Sequence, residues 1–450
     1  MTRQLSLNAF LHDTGHHEAS WRHPDSAIDR IHDIDFDTRN AQIAEEAKLD
    51  AIFFADAPGL WGATPFRPAG HLEPITRLAA IAARTERIGL IATASTTFYD
   101  PYNLARLFSS LDTISKGRAG WNIVTTQSEA VARNFSLSEL PSASERYIRA
   151  QEFVDVVTKL WDSWEDDAIL ADRESGRFFD QEKVHAIHHV GNHFQIEGPL
   201  SQPRSPQGRP VYVQAGSSND GRAFAGRNAE AIFTAHQTIE DAQAFYADIK
   251  SRAVAFGRSP EDVKILPGIS PFVADTRAEA EELQRYVNSL TVPAYGIAQL
   301  EGLAGVSLAH LELDEPVPVE VFGQAGDVLD NNRSRLQVIA NIVERDRPTL
   351  RGLLHRLAGA RGHNVVAGTP TEVADIITEW FQNGAADGFN VMPPLYPQLL
   401  QEFTQKVVPI LQDRGLFRTE YTGSTLRDHF GLARPESLYG ADANEEAHVV

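Results

Sequence analysis

The chain has 450 residues, 42% of them hydrophobic and 23% charged, with a formal charge of −20. This is the composition of a soluble globular protein with room for one large barrel or two domains. Scattered Lys and Arg in so acidic a chain argue against nucleic acid or an anionic membrane as partner. The absence of cysteine excludes disulfides, thiolate nucleophiles and Cys-bound zinc. Residues Met1–Phe10 lack a signal-peptide apolar core, and no apolar run is long enough to cross a bilayer, so a cytoplasmic location is expected.

Strand-like and helix-like segments alternate. A first strand (about 4–10) is followed by a polar loop and a helix near 36–48. A second strand (50–55) precedes a helix near 73–85. A third (88–95) leads to a helix after Pro101, a residue suited to a first helical turn. A fourth (119–125) leads to a long helix near 144–164, opened by the capping-box pattern Ser142-Ala-Ser-Glu145. Residues 185–196 read as a β-hairpin turning near Gly191, and 198–210 as a Pro- and Gly-bearing loop. A fifth strand (211–215), a helix near 222–228 and a sixth strand (229–235) resume the pattern. The seventh strand is expected at 263–270, with Pro267 against it, and the eighth at 388–392. The alternation predicts one α/β TIM-type (β/α)8 barrel over 1–433, with insertions near 57–72, 165–210 and 294–366 and a mobile tail over 434–450.

Four of the strands end on small polar groups: Asp56 after the second, Ser95-Thr-Thr97 at the third, Thr125-Thr126 at the fourth, and Gly216-Ser-Ser218 after the fifth. A parallel barrel builds its active site from such carboxyl ends. Asn122, inside an apolar strand, needs a partner if buried. The glycine-bearing loop at 216–221 precedes a helix whose first amides suit a phosphate, although it matches neither common phosphate-binding pattern. Adjacent His188 and His189 would point to opposite faces of a strand, and no His-Glu-x-x-His occurs, so no metal site is expected. No Gly-x-Ser-x-Gly elbow is present. A polar site without acid–base machinery suits a cofactor that brings its own reactivity.

Seven segments carry a family resemblance: Trp21-Arg-His-Pro24, Phe53-Phe-Ala-Asp56, Ala94-Ser-Thr-Thr-Phe-Tyr-Asp-Pro-Tyr102, Gly120-Trp-Asn-Ile-Val-Thr-Thr126, Gln214-Ala-Gly-Ser-Ser218, Gly384-Ala-Ala-Asp-Gly-Phe389 and Val408-Pro-Ile-Leu-Gln-Asp-Arg-Gly415. With them the chain resembles, over about residues 4–432, the bacterial luciferase-like flavin monooxygenases, in the subgroup of nitrilotriacetate, EDTA and dibenzothiophene-sulfone monooxygenases. The resemblance implies a barrel that binds reduced FMN (FMNH2), supplied by diffusion from a separate NAD(P)H:flavin reductase. Reduced flavin and O2 then oxygenate a small substrate, the chemistry being carried by a flavin peroxide rather than by a side chain. It implies flavin contacts at Asp56, Thr97, Tyr147 and Ser218, with Tyr147 and Ser218 toward the phosphate; Asn122 and Ser217 are further candidates. The family histidine four residues before the tyrosine falls on Ala143, so either Ser142 or Ser144 stands in for it or flavin affinity is lower. Phe10, His17, Trp21, His23, Thr126 and His236 are candidates for the substrate pocket. C–N, C–S and aromatic or halogenated substrates all fit, and relatives are commonly homodimers or homotetramers. Two other readings use the same barrel: a deazaflavin-dependent dehydrogenase and a non-catalytic flavin-binding protein.

Overall fold

The computed structural model describes residues 3–56, 58–60, 65–126, 128–323 and 333–439. Its strands are β1 (Ser6–Leu11), β2 (Ala51–Phe54), β3 (Gly89–Ser95), β4 (Ala119–Val124), β5 (His189–Val190), β6 (Gln195–Ile196), β7 (Val211–Gln214), β8 (Ala231–Thr234), β9 (Lys264–Val273), β10 (Asn364–Gly368) and β11 (Gly388–Val391). The helices are α1 (Ile34–Glu46), α2 (Pro74–Ala82), α3 (Pro101–Ile114), α4 (Glu129–Ala132), α5 (Ala143–Asp162), α6 (Asn219–Asn228), α7 (Ile239–Ala255), α8 (Arg277–Ser289), α9 (Pro293–Ala304), α10 (Glu320–Gly323), α11 (Arg333–Asp346), α12 (Leu350–Ala360), α13 (Pro370–Gln382), α14 (Gln398–Glu402), α15 (Val408–Asp413) and α16 (Leu426–Phe430). The parallel ring runs β1-β2-β3-β4-β7-β8-β9-β11 and closes where β11 pairs with β1. This is the eight-stranded TIM-type barrel that the alternation predicts.

Side-chain alternation sorts the core into two layers. Leu7, Ala9 and Leu11 of β1 lie under the surrounding helices. Phe10, Phe53, Ile91, Val213 and Phe233 fill the barrel interior. Helix α16 plugs the amino-terminal end, where Leu426 and Phe430 join that inner cluster. Glycines at 89 and 120 make room for it: a Cβ at Gly120 would stand 2.9 Å from Ile91 and 3.1 Å from Leu426. Arg427 of α16 is itself buried and grips both oxygens of Glu230, at 2.5 and 3.1 Å.

Two features differ from the sequence reading. The seventh barrel strand, β9, continues through Pro267 to Val273. Its Ile265 and Ile269 carbonyls face β11, so Pro271 points its missing N–H past the last β11 pair, where no ladder bond is lost. That overhang pairs with an additional strand, β10, which straddles the end of the stretch read as a long insertion. The stretch also carries α9 to α12 around a small core of Leu300, Ile339, Ile342 and Leu353. The hairpin is present as β5 and β6, antiparallel. The capping box at Ser142 opens α5 as expected. Arg434 pairs with Asp166 at 2.6 Å and Tyr439 stacks on His185. The rest of the predicted tail, 440–450, and residues 57, 61–64 and 324–332 of two predicted insertions lie outside the described residues.

Candidate active site

Every strand of the ring delivers its last residues to one end, and the polar groups singled out above gather there. Tyr147, in the first turns of α5, has its hydroxyl in hydrogen-bonding reach of Ser218 and Thr125; burial raises its pKa and those two hydroxyls oppose the rise. Ser218 is the N-cap of α6, its Oγ accepting from the Gly221 amide at 3.1 Å. The Ser217 carbonyl accepts from Arg222 Nε at 2.9 Å. Glycine is required here, because a Cβ at Gly216 or Gly221 would stand 2.9 or 2.8 Å from the Tyr147 hydroxyl. Three hydroxyls thus surround the amino end of a ten-residue helix, whose amides and dipole favour an anion. Asp220 in its first turn works against that field.

Deeper in the barrel, Asn122 Nδ2 donates to Thr93 Oγ1 at 2.9 Å, and Thr93 donates to the Phe54 carbonyl at 3.0 Å. Asn122 Oδ1 is buried with no donor among the described residues. An acceptor left so carries a penalty of about 1–3 kcal/mol, which a ligand N–H would remove. At the end of β3, Thr97 N–H donates to Ser95 Oγ, and Arg149 donates to the Thr96 carbonyl. Asp56 is half-buried just past β2. Burial, then the charges of Glu73 and Asp56, push the Tyr99 hydroxyl up to about 12.

The substrate candidates separate. Phe10 stacks on Phe53 at 4.4 Å and meets Phe233 edge-on at 5.3 Å, an aromatic floor inside the ring. Thr126 is half-buried beside Thr125. His17 is turned to Asn288 of α8 at 3.0 Å and accepts from the Ala19 amide. His23 packs edge-on against Tyr286 of α8, and His236 bonds Thr234 and packs on Phe245 of α7. Trp21 Nε1 donates to the Phe66 carbonyl, tying the first loop to the segment before α2. Near Ala143, Ser142 accepts from the Glu145 amide as a helix cap, and Ser144 is exposed.

A group that the sequence reading did not select lies just past β1. Asp13 accepts from His12 Nδ1 at 2.8 Å and from His71 Nδ1 at 2.7 Å. Arg67 donates to His12 Nε2 at 3.1 Å, and Arg361, Glu18 and His16 line the same small space. The signal was available: His12-Asp13 follows directly on the first strand. Its partners are 54 or more residues away in sequence, so only folding joins them. Among the described residues, no group of three or more His, Cys, Asp or Glu side chains is placed to hold a metal ion.

Comparison with known proteins agrees with this architecture. The family profile of luciferase-like monooxygenases matches residues 14–387. The chain is 46% identical over 438 residues to N-acetyl-S-(2-succino)cysteine monooxygenase of Bacillus subtilis (strain 168), covering 97% of this chain and 98% of that protein. It is 44% identical over 448 residues to nitrilotriacetate monooxygenase component A of Aminobacter aminovorans, again covering 97% and 98%. Among solved structures, a riboflavin lyase with modified FMN and riboflavin superposes with a TM-score of 0.84 at 32% identity, over 98% of this chain and 99% of that one. The resemblance drawn from the seven segments is borne out: the chain belongs to the luciferase-like monooxygenase family.

Proposed function

We propose that this monooxygenase is the oxygenase of a two-component system. It takes FMNH2 made by a separate NAD(P)H:flavin reductase and, with O2, oxygenates a small organic substrate at a C–N, C–S or aromatic or halogenated carbon. The observation that carries the reading is the cradle of Tyr147, Thr125 and Ser218 around the α6 amino end, with the unmet acceptor Asn122 Oδ1 farther inside. A phosphate fits the cradle and a ring N–H fits the acceptor, so the residues present suit FMN. Tyr147, Ser217 and Ser218 would hold the phosphate end; Asn122, Thr97 and Asp56 would hold the rest. When bound, the flavin supplies the oxidising chemistry.

The chain's own residues have lighter tasks. Tyr147 and Ser218 donate to an anion and fix its place. The Phe10, Phe53 and Phe233 rings give the interior a dry wall, and Phe98 stacked on Phe135 at 4.6 Å adds apolar cover beside the mouth. The relative named as a component A, and the printed substrates of both relatives, support a partnered enzyme acting at carbon bonded to nitrogen or sulfur. We place it in the cytoplasm, as a homodimer or homotetramer. The reading is tested by supplying a flavin reductase, NADH and 18O2 with a library of amines, thioethers and haloaromatics. A product carrying one 18O atom supports it. Full conversion of O2 to H2O2 with every compound refutes it, as does an absence of FMN binding.

A further inference from the structure

A cavity of about 430 Å³ opens between α5 and the carboxyl end of α6, far from the cradle. Glu230 in its wall is held by Arg427 of α16, the helix that plugs the amino-terminal end of the barrel. Helix α6 runs from one site to the other. Ser218 caps it in the cradle, and Arg227 and Asn228 end it at the cavity. Its ten residues span about 15 Å.

The walls carry a local surplus of positive charge in a chain whose formal charge is −20. Lys159, Arg209, Arg227 and Arg258 line the space, against the carboxylates of Asp155 and Glu230. Both carboxylates are already bonded. Arg427 takes both oxygens of Glu230, which also accepts from the Tyr212 amide at 2.9 Å. Asp155 accepts from Gln151 Nε2 at 2.8 Å. Behind the wall, Asp162 is shared by Arg204 at 3.0 Å and Arg209 at 3.1 Å. Arg258 donates to the carbonyls of Gly226, Ala229 and Asp262, at 3.0, 2.7 and 3.2 Å. Burial lowers its pKa, and the charges of Glu230 and Asp262 oppose that shift. The Asp262 carboxylate itself accepts from the Ser259 amide at 3.0 Å. Among the described residues, the Lys159 ammonium and the Arg227 guanidinium make no hydrogen bond or ion pair, and Asp155, one turn before Lys159, forms no ion pair with it. Cations gathered round one space repel each other, and an anion inside it relieves that cost.

Two of the four are fixed in advance. Arg258 is tied to three carbonyls, and Arg209 is tied to Asp162 and lies over the Tyr212 ring at 5.9 Å. Guanidinium groups present paired N–H donors that match phosphate oxygens. The rest of the wall is apolar. Val154 and the Tyr212 ring contribute to it, and Leu438, 50% exposed, stands beside them. Thr158 donates to the Val154 carbonyl at 2.7 Å, so the Tyr212 hydroxyl spends its proton on Thr158, at 2.6 Å. The volume falls within the roughly 300–1,000 Å³ of small-molecule pockets, well above the room one inorganic ion needs.

We propose that this cavity is a second binding site, for a small organic phosphate. Lys159, Arg227 and Arg258 hold the phosphate group, and Val154, Tyr212 and Leu438 cover the organic part. Nothing in this site depends on the flavin reading.

The test is calorimetric titration of the full chain, saturated with FMN to keep other phosphates out of the cradle. The probes are AMP and phenyl phosphate, each set against its phosphate-free counterpart, adenosine or phenol. At least one phosphate is expected to bind about ten-fold or more tightly than its counterpart, and less tightly as salt is added. Lys159→Gln and Arg227→Gln, neither of which removes a bond within the described residues, should each weaken it by about three-fold or more and leave FMN affinity unchanged. Arg258 is left in place, because it holds the carbonyls at the end of α6. Tyr147→Phe should leave binding of the probe as it is. Failure of both phosphates to bind, equal binding of phosphate and counterpart, or unchanged affinity in both Lys159→Gln and Arg227→Gln overturns the site. A loss of probe binding in Tyr147→Phe also overturns it, by placing the probe in the cradle. Failure of the parent to bind FMN overturns the flavin reading alone, since the same titration can then be run on the protein without it.

Discussion

Tyr147→Phe removes one oxygen from the centre of the proposed phosphate cradle and nothing else. The hydroxyl sits between Ser218 and Thr125, and both glycines at 216 and 221 are shaped around it. A hydrogen bond to a charged group contributes about 1.5–3 kcal/mol. Each 1.4 kcal/mol is about ten-fold in affinity, so FMN binding should weaken roughly ten- to hundred-fold. The low end is favoured, because Ser218 and Thr125 remain and can turn to the anion. The assay is equilibrium titration by flavin fluorescence, run in parallel with riboflavin, which lacks the phosphate. Riboflavin affinity should not change, and neither should thermal stability by more than the roughly 1 kcal/mol of a neutral hydrogen bond. An equal loss for FMN and riboflavin would place Tyr147 at the ring rather than the phosphate. No loss for either would remove the cradle from the flavin site.

Three further outcomes follow from other parts of the molecule. Glu18→Gln should change the pH dependence of stability. The folded chain keeps a proton on Glu18 that the unfolded chain releases between the ordinary value of 4.5 and about 7, so this stability is full below 4.5 and lost as pH rises through 7. The melting temperature of the variant should gain on the parent from pH 5 to 8, by at most about 3 kcal/mol in free energy; a constant difference refutes the assignment. The raw curves will not show it, since His12, His17, His236 and His429, each pushed down to about 4 first by burial, lose stability in the opposite direction as pH falls from 6.5. At the barrel floor, Leu426→Ala should destabilise by about 2–5 kcal/mol and Gly120→Ala by about 1–3. The double variant should fall short of their sum, because the added methyl fills space that Leu426 vacates; strict additivity in urea unfolding would show that the two do not touch. Glu230→Ala strands the buried Arg427 guanidinium and should cost about 3–5 kcal/mol by the same measurement, a loss below 1 kcal/mol contradicting the buried pair.

The primary structure was sufficient for the barrel because its signals are local. Apolar runs such as Ala119–Val124 and Val211–Gln214, capped helices such as the one opened by Ser142, and polar residues at strand ends recur in chain order, and connection rules leave few ways to arrange them. Asp56, Asn122 and the hydroxyls at 95–97 and 217–218 could be picked out for the same reason, whereas Tyr147, which lies in a helix, and the assignment of Asp56, Thr97 and Ser218 to a flavin came from the family resemblance. Strand β10 was not legible: five residues, Asn364–Gly368, have no face of their own and become a strand only because β9 outruns its partners. The orientation of side chains was not legible either. His17, His23 and His236 stand near strand ends in the chain, yet packing turns them onto α7 and α8. Arg67 and Arg361, separated by nearly 300 residues, share one space because separate loops converge on the end of β1. Hydrophobic periodicity and local capping act between near neighbours and can be read along the chain; charge pairing and the protonation state of a histidine depend on through-space distance, which only the closed ring sets.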